Sequence, residues 1–185
     1  RSFYDWMNIF VKYSIIEKIP KNILNHIESG ISGEIDDTPK PLDPVFEKTY
    51  NLIIGSNIES LTAAKKKAES LGYNVILLSS MIEGETRFIA QVHGAIAREI
   101  IKTGNPLPLP ACILSGGETT VTISGNGLGG RNQEFALSAS LDISGKENIV
   151  ILSGGTDGID GPTDEAGAFS DTFTLKRAEK MGLNP

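Results

Sequence analysis

The stretches "ILSGGE" (113–118) and "ILSGGT" (151–156) are near copies, each an apolar run that breaks into glycine and a polar residue. A short apolar run of this kind predicts a buried strand, and glycine at its end lets the backbone turn or approach another group closely. Both endings are expected to bring polar groups to one rim of a sheet. Two earlier runs, "NLIIGS" (51–56) and "NVILLS" (74–79), have the same form. Helical patterns follow them, from about Glu59 to Leu71 and from about Thr86 to Lys102. This alternation predicts an α/β fold, a parallel sheet covered by helices.

Elsewhere the periodicity is helical. Phe3, Trp6, Phe10 and Tyr13 recur at helix spacing and are expected in the core, and Pro20 is placed to open a second helix that Gly30 closes. Residues 32–44 carry three prolines and read as an extended connection. "GNPLPLP" (104–110) reads as a linker, and "ACILSGGETTVTIS" (111–124) as two strands broken at Gly116 and Gly117. A glycine loop then leads into a helix starting near Asn132, "NIVILS" (148–153) forms a strand, and a last helix runs from about Thr172 to Met181. Gly182 would stop that helix, with Phe173, Ala178 and Met181 on its core face. The expected division is a helical segment with its Pro-rich connection (1–48), a βαβα portion (49–108) and a glycine-rich domain (109–185).

Composition narrows the function classes. The chain has 185 residues, a formal net charge of -6 and a pI near 5.0, with Lys and Arg scattered, which argues against a nucleic-acid partner. Cys112, the single cysteine, excludes an intrachain disulfide and lies in an apolar run where an inert thiol is expected. No run reaches the roughly 20 apolar residues of a membrane span and no signal peptide opens the chain, so a cytoplasmic protein without a membrane partner is expected. A start at Arg1 and a close at "GLNP" suggest a fragment.

Chemistry concentrates in two loops. "GNGLGGRNQE" (125–134) fits G-x-G-x-x-G through Gly125, Gly127 and Gly130, yet the strand that should end in a ribose-binding acid ends in Ser153. What remains is an anion loop: Gly127, Gly129 and Gly130 admit a close approach, the helix start at Asn132 offers N–H groups, and Arg131 adds a planar donor fork. Walker A and protein-kinase motifs are absent. The acidic loop "GGTDGIDGPTDEAG" does not have calcium-loop spacing. One reading has its carboxylates build turns and caps, with Asp164 near a helix start; the other has Asp157 and Asp160, with Glu118 from the companion run, hold magnesium. Gly116 and Gly117 would border the same rim, and Ser56 and Asn57 follow a strand where α/β sheets bind ligands. His26 and His93 read as surface or packing residues, and Glu83 and Glu85 as helix caps.

"CILSGGETTVTISGNGLGGRNQEFAL" and "LSGGTDGIDGPTDEAGAFSD" strongly resemble the MOFRL region of the type-2 glycerate 2-kinases, a family also described as hydroxypyruvate reductases. "GSN" (55–57), "LGYN" (71–74) and "EGE" (83–85) resemble the part preceding it. The resemblance implies a Rossmann-like parallel α/β portion followed by a smaller mixed-sheet α/β domain, with the site in a cleft between domains. It implies transfer of the ATP γ-phosphoryl group to the 2-hydroxyl of D-glycerate with a divalent cation, so ATP, Mg2+ and D-glycerate are the expected ligands and a second copy of the chain a further candidate partner. Arg131 matches the family's catalytic arginine. The family's catalytic lysine lies in an earlier segment, and its "NDSY" and "TGPTGTNVNDL" motifs lie beyond Pro185, so the isolated stretch is expected to be inactive. An NADH-dependent hydroxypyruvate reductase and a non-catalytic nucleotide- or sugar-acid-binding module are the alternatives. On the kinase reading Arg131 and Asp157 carry catalysis, Ser56, Asn57, Gly116, Gly117, Gly127, Gly129, Gly130 and Asn132 bind substrate or phosphate, and Glu118, Asp157 and Asp160 bind metal.

Overall fold

A computed structural model describes residues 2–146 and 148–183. Arg1 and the last two residues, on which the fragment expectation rests, lie outside the described residues. Two compact units emerge, Arg1–Ile53 and Ile54–Pro185.

In the first unit, α1 (Phe3–Lys12) starts at a capping box between Ser2 and Asp5, and α2 (Lys21–Ser32) follows Pro20. Phe10 and Ile27 are buried, but Trp6, Tyr4 and Tyr13 are exposed, so the expected aromatic core reduces to one side of the stripe. Gly30 does not end α2. It lies inside the helix, where the Phe3 ring occupies the place its Cβ would take, and Gly33, at φ 85°, ends the helix instead. Residues beyond α2 are irregular apart from a 3-10 turn at Pro44–Phe46.

"NLIIGS" is not a strand. Leu52, Ile53 and Ile54 are exposed and have no ladder partner among the described residues, and a β conformation needs one. In the second unit α3 (Asn57–Ser70) leads into β1 (Asn74–Glu85), α4 (Thr86–Thr103) crosses over, and β2 (Ala111–Thr120) pairs parallel with β1 from Asn74↔Ala111 to Glu85↔Thr120. The ladder joins residues on both sides of the 104–110 connection, with register shifts on β1 between Leu77 and Ser79 and between Ser79 and Ile82. β2 also runs unbroken through Gly116 and Gly117. An added Cβ at Gly117, whose φ is 154°, would overlap the backbone of its partner Ile82, so glycine preserves the ladder instead of breaking it.

α5 (Arg131–Ile143) packs against α4, β3 (Val150–Gly154) and β4 (Gly167–Asp171), burying Ala136, Ala139 and Ile143 while Ala90 is buried on α4; Gly94 leaves room for Asp142, which Arg98 Nη1 holds at 3.0 Å. β3 and β4, the latter not foreseen, form an antiparallel hairpin. Its alternation buries Ser170 and leaves Val150, Leu152 and Phe169 exposed. α6 (Thr174–Lys180) ends before Gly182 at φ 71°, but Phe173 and Met181 are exposed instead of in the core. The α/β expectation therefore holds as a parallel pair followed by a separate antiparallel pair.

The acidic loop between β3 and β4 reaches back to the start of α5. Asp160 is 2% exposed, and its Oδ1 accepts the Asn132 N–H at 3.0 Å and the Asn132 amide at 2.9 Å. Its Oδ2 accepts the Gln133 N–H at 2.8 Å. α5 has no side-chain cap of its own at Gly130, so Asp160 takes that role from a distant loop. Glycine is required here because a Cβ at Gly130 would overlap the Asp160 carboxyl, and Gly161, at φ 63°, lies against the Gly129 carbonyl. Asp164 starts no helix; β4 follows it.

Two outcomes follow. Gly117→Ala in the full-length protein should lower stability by about 1–3 kcal/mol through overpacking against Ile82, read as a shifted urea midpoint. Burial opposes ionisation of Asp160, but the N–H groups of Asn132 and Gln133 outweigh it and hold its carboxyl below the ordinary value of 3.8. A depressed carboxylate stabilises the fold fully above its unfolded value and loses that contribution as pH falls through its folded value. Asp160→Asn should therefore cost about 1–3 kcal/mol at pH 7. The gap in melting temperature between variant and parent should narrow below pH 4; a gap that does not depend on pH would remove the charge from the account.

Candidate functional site

Within the second unit a cleft of about 1510 Å³ runs between β2 and β3 along the length of both strands. Both glycine endings line it, Gly116 to Glu118 from one strand and Ser153 to Thr156 from the other. Ser56, Asn57, Arg131 and Asn132 line it too. Gly127, Gly129, Gly130, Asp157 and Asp160 are not among its walls.

Each wall residue has a local reason for its place. Asn57, the first residue of α3, donates to the Ser80 carbonyl at 2.8 Å, and its amide occupies the space that a Cβ on Gly116 would need. Ser56 precedes α3 and donates its hydroxyl to Glu59 at 3.1 Å. Asn132 accepts the Ser153 hydroxyl at 2.7 Å while donating to Asp160, so one amide joins the end of β3 to the cap of α5. Arg131, half-buried at the start of α5, pairs through Nη1 with Glu118 Oε1 at 2.7 Å. The Glu118 side chain is 77% exposed. Such an exposed pair adds little stability and yields to a competing anion.

Two residues read as packing take part in this wall. His93 Nδ1 lies 2.8 Å from the Ile89 carbonyl, which can only accept, so that nitrogen carries a proton. Its Nε2 lies 2.8 Å from the Ser115 hydroxyl, and its ring meets Phe135 edge-on at 5.2 Å. A lone histidine on a helix face gives no signal for a strand hydroxyl across the sheet. Cys112 is half-buried, and burial pushes its thiol up, as an inert role requires.

The carboxylates do not form a metal cage. Among the described residues, no group of three His, Cys, Asp or Glu side chains is arranged to hold an ion. Asp160 spends both oxygens on three N–H donors, Glu118 pairs with Arg131, and Asp157 sits on an exposed turn with the Ile159 N–H at 3.4 Å. The same geometry alters the anion-loop expectation: the N–H groups of Asn132 and Gln133 already bind a carboxylate, leaving Arg131 as the cationic donor of that helix end.

Residues 111–185 match the MOFRL family. The chain is 39% identical over 184 residues to the glycerate 2-kinase of Pyrococcus horikoshii, covering 99% of this chain and 41% of the relative. It is 34% identical over 180 residues to the D-glycerate 2-kinase of Thermotoga maritima, covering 97% and 42%. The crystal structure of a Thermotoga maritima glycerate kinase superimposes with a TM-score of 0.75 at 34% identity, covering all of this chain and 41% of that one. The chain thus spans about two fifths of the length of these relatives; it is similar to glycerate kinases over nearly its whole length and to the MOFRL family over residues 111–185.

Proposed function

We propose that the full-length protein containing this chain is a glycerate 2-kinase that transfers the γ-phosphoryl group of ATP to the 2-hydroxyl of D-glycerate. The observation that carries this reading is Arg131: a guanidinium at a helix start, facing a cleft bordered by the glycines of β2 and of the β3 ending and, among the described residues, held only by an exposed carboxylate. Phosphoryl transfer asks the protein mainly for positioning and charge neutralisation, and a displaceable Glu118 leaves Arg131 free to take a phosphate or a glycerate carboxylate. Names of the relatives support the acceptor and the phosphate position.

The remaining residues take supporting roles. Asn57, Gly116, Gly117 and Asn132 shape the cleft where substrate would lie, with Ser56 beside them. The open backbone at Gly127 and Gly129 is offered to phosphate oxygens, with Gly130 as the hinge into α5. Asp157 is the second residue assigned to catalysis, its exposed carboxylate keeping acceptor capacity for the substrate hydroxyl. Magnesium enters as the ion that accompanies ATP; of the three carboxylates assigned to it Asp160 is taken up by N–H donors, while Glu118 and Asp157 would suffice for an ion that takes one or two carboxylates with water and phosphate oxygens, and no step runs through it. Residues 49–108 and 109–185 serve as the two portions of the catalytic unit, a division supported by the family match over 111–185. A cytoplasmic setting fits this substrate, and no helix among the described residues is long and apolar enough to cross a membrane.

Phosphorus NMR of the full-length protein with D-glycerate, ATP and magnesium should show 2-phosphoglycerate. Arg131→Ala should lower kcat by about a hundredfold or more, the loss expected when a charge-stabilising donor is removed. No phosphoester from the parent protein, with NADH oxidised by hydroxypyruvate instead, would replace this reading with the reductase; tight ATP binding without turnover would replace it with a binding module.

A further inference from the structure

Glu85, the last residue of β1, makes no side-chain cap on α4, contrary to the role its position suggests. Its Oε1 accepts the Thr122 N–H at 3.1 Å and its Oε2 the Thr122 hydroxyl at 2.9 Å. Those two bonds, with Arg87 nearby, hold its carboxyl below the ordinary carboxylate range. Arg87 then spans the gap. Its Nε lies 3.3 Å from Glu85 Oε1 and 3.4 Å from Glu134 Oε1, and its Nη2 donates to the Thr122 carbonyl at 3.4 Å. That Glu134 oxygen is buried and has no hydrogen-bond partner among the described residues, so the Arg87 charge is what compensates it.

Thr122 leads into the glycine loop and Glu134 sits in the first turn of the helix that follows it. Both stems of the loop therefore meet at one guanidinium. Beneath them, fully buried Thr86 places its hydroxyl 2.8 Å from the Thr119 hydroxyl and 3.0 Å from the Thr120 carbonyl. The loop's interior is different: Gly125 and Gly127 face open space, and Ile123 and Leu128 are more than 80% exposed. The root is tied and the tip is not. A planar fork reaches two stems at once where an ammonium would reach one.

We propose that Glu85 and Arg87 are positioning residues that close the root of the 121–130 loop, so that its glycine N–H groups and Arg131 meet a phosphate-bearing nucleotide in one arrangement. The identity of that ligand rests on the kinase reading; the closure of the loop does not.

The test uses the full-length protein, with hydrogen exchange beside steady-state kinetics. In Glu85→Gln, amides of 121–130 should exchange about tenfold faster while β1, β2 and the interior of α5 keep their rates, because only local opening has become easier. The KM for ATP should rise and kcat/KM for ATP fall by about ten- to a hundredfold, the scale of a misplaced binding group, with the D-glycerate KM changed by no more than about twofold. Arg87→Lys should fail to restore what Arg87→Ala loses. If Glu85→Gln does not fold, Thr122→Val, which removes one hydroxyl bond, should shift exchange and ATP KM in the same direction by less. Unchanged exchange over 121–130, faster exchange without an ATP effect, or both KM values rising together with global loosening would each overturn the proposal. A loop that loosens in a protein making no 2-phosphoglycerate would keep the closure of the loop while ending the kinase reading.

Discussion

The second unit depends on one carboxylate. Asp160 caps α5 from the middle of the β3–β4 loop, tying a hairpin to a helix that shares no ladder with it. A buried charge is costly unless it is paired or hydrogen-bonded, and three N–H bonds to its two oxygens offset that cost. The glycines around it follow from the same need: no side chain fits between the two loops at Gly130. Asn132 extends the arrangement to Ser153, so the end of β3, the start of α5 and the acidic loop form one hydrogen-bonded unit.

Arg131 sits at the edge of that unit with its two ends in different surroundings. Its backbone belongs to a helix start fixed by a buried carboxylate, while its guanidinium meets an exposed one. The site is thus rigid where position matters and loose where a ligand must replace Glu118. His93 and Ser115 support the opposite wall, linking α4 to β2 just before Gly116 and Gly117 of the same strand.

Much of this was legible as pattern. The apolar runs at 74–79, 111–115 and 148–153 and the helical periods between them contained the parallel pair and its crossover, since both depend on local alternation of polarity. "NLIIGS" carried the same pattern but has no ladder partner among the described residues, which only pairing can decide. Glycine was ambiguous for a related reason. Gly30, Gly116 and Gly117 resemble chain breaks, yet each marks a close approach by Phe3, Asn57 or Ile82, contacts that lie far along the chain. The acidic loop offered caps or metal as readings; its geometry makes Asp160 a cap, but for a helix 28 residues back, not for its own neighbours. Glu85 illustrates the converse, a capping position whose side chain instead binds Thr122 at the root of the glycine loop.

The contrast between the two carboxylates at the head of α5 extends to ionic strength. Mobile ions screen exposed charges over about 8 Å at physiological salt but reach a buried pair poorly. Raising salt therefore weakens the hold of Glu118 on Arg131 while leaving the Asp160 cap almost untouched. The same arginine is then more mobile at its tip and no less anchored at its base, and an anionic ligand competes against both Glu118 and the dissolved ions for a group whose backbone position does not change.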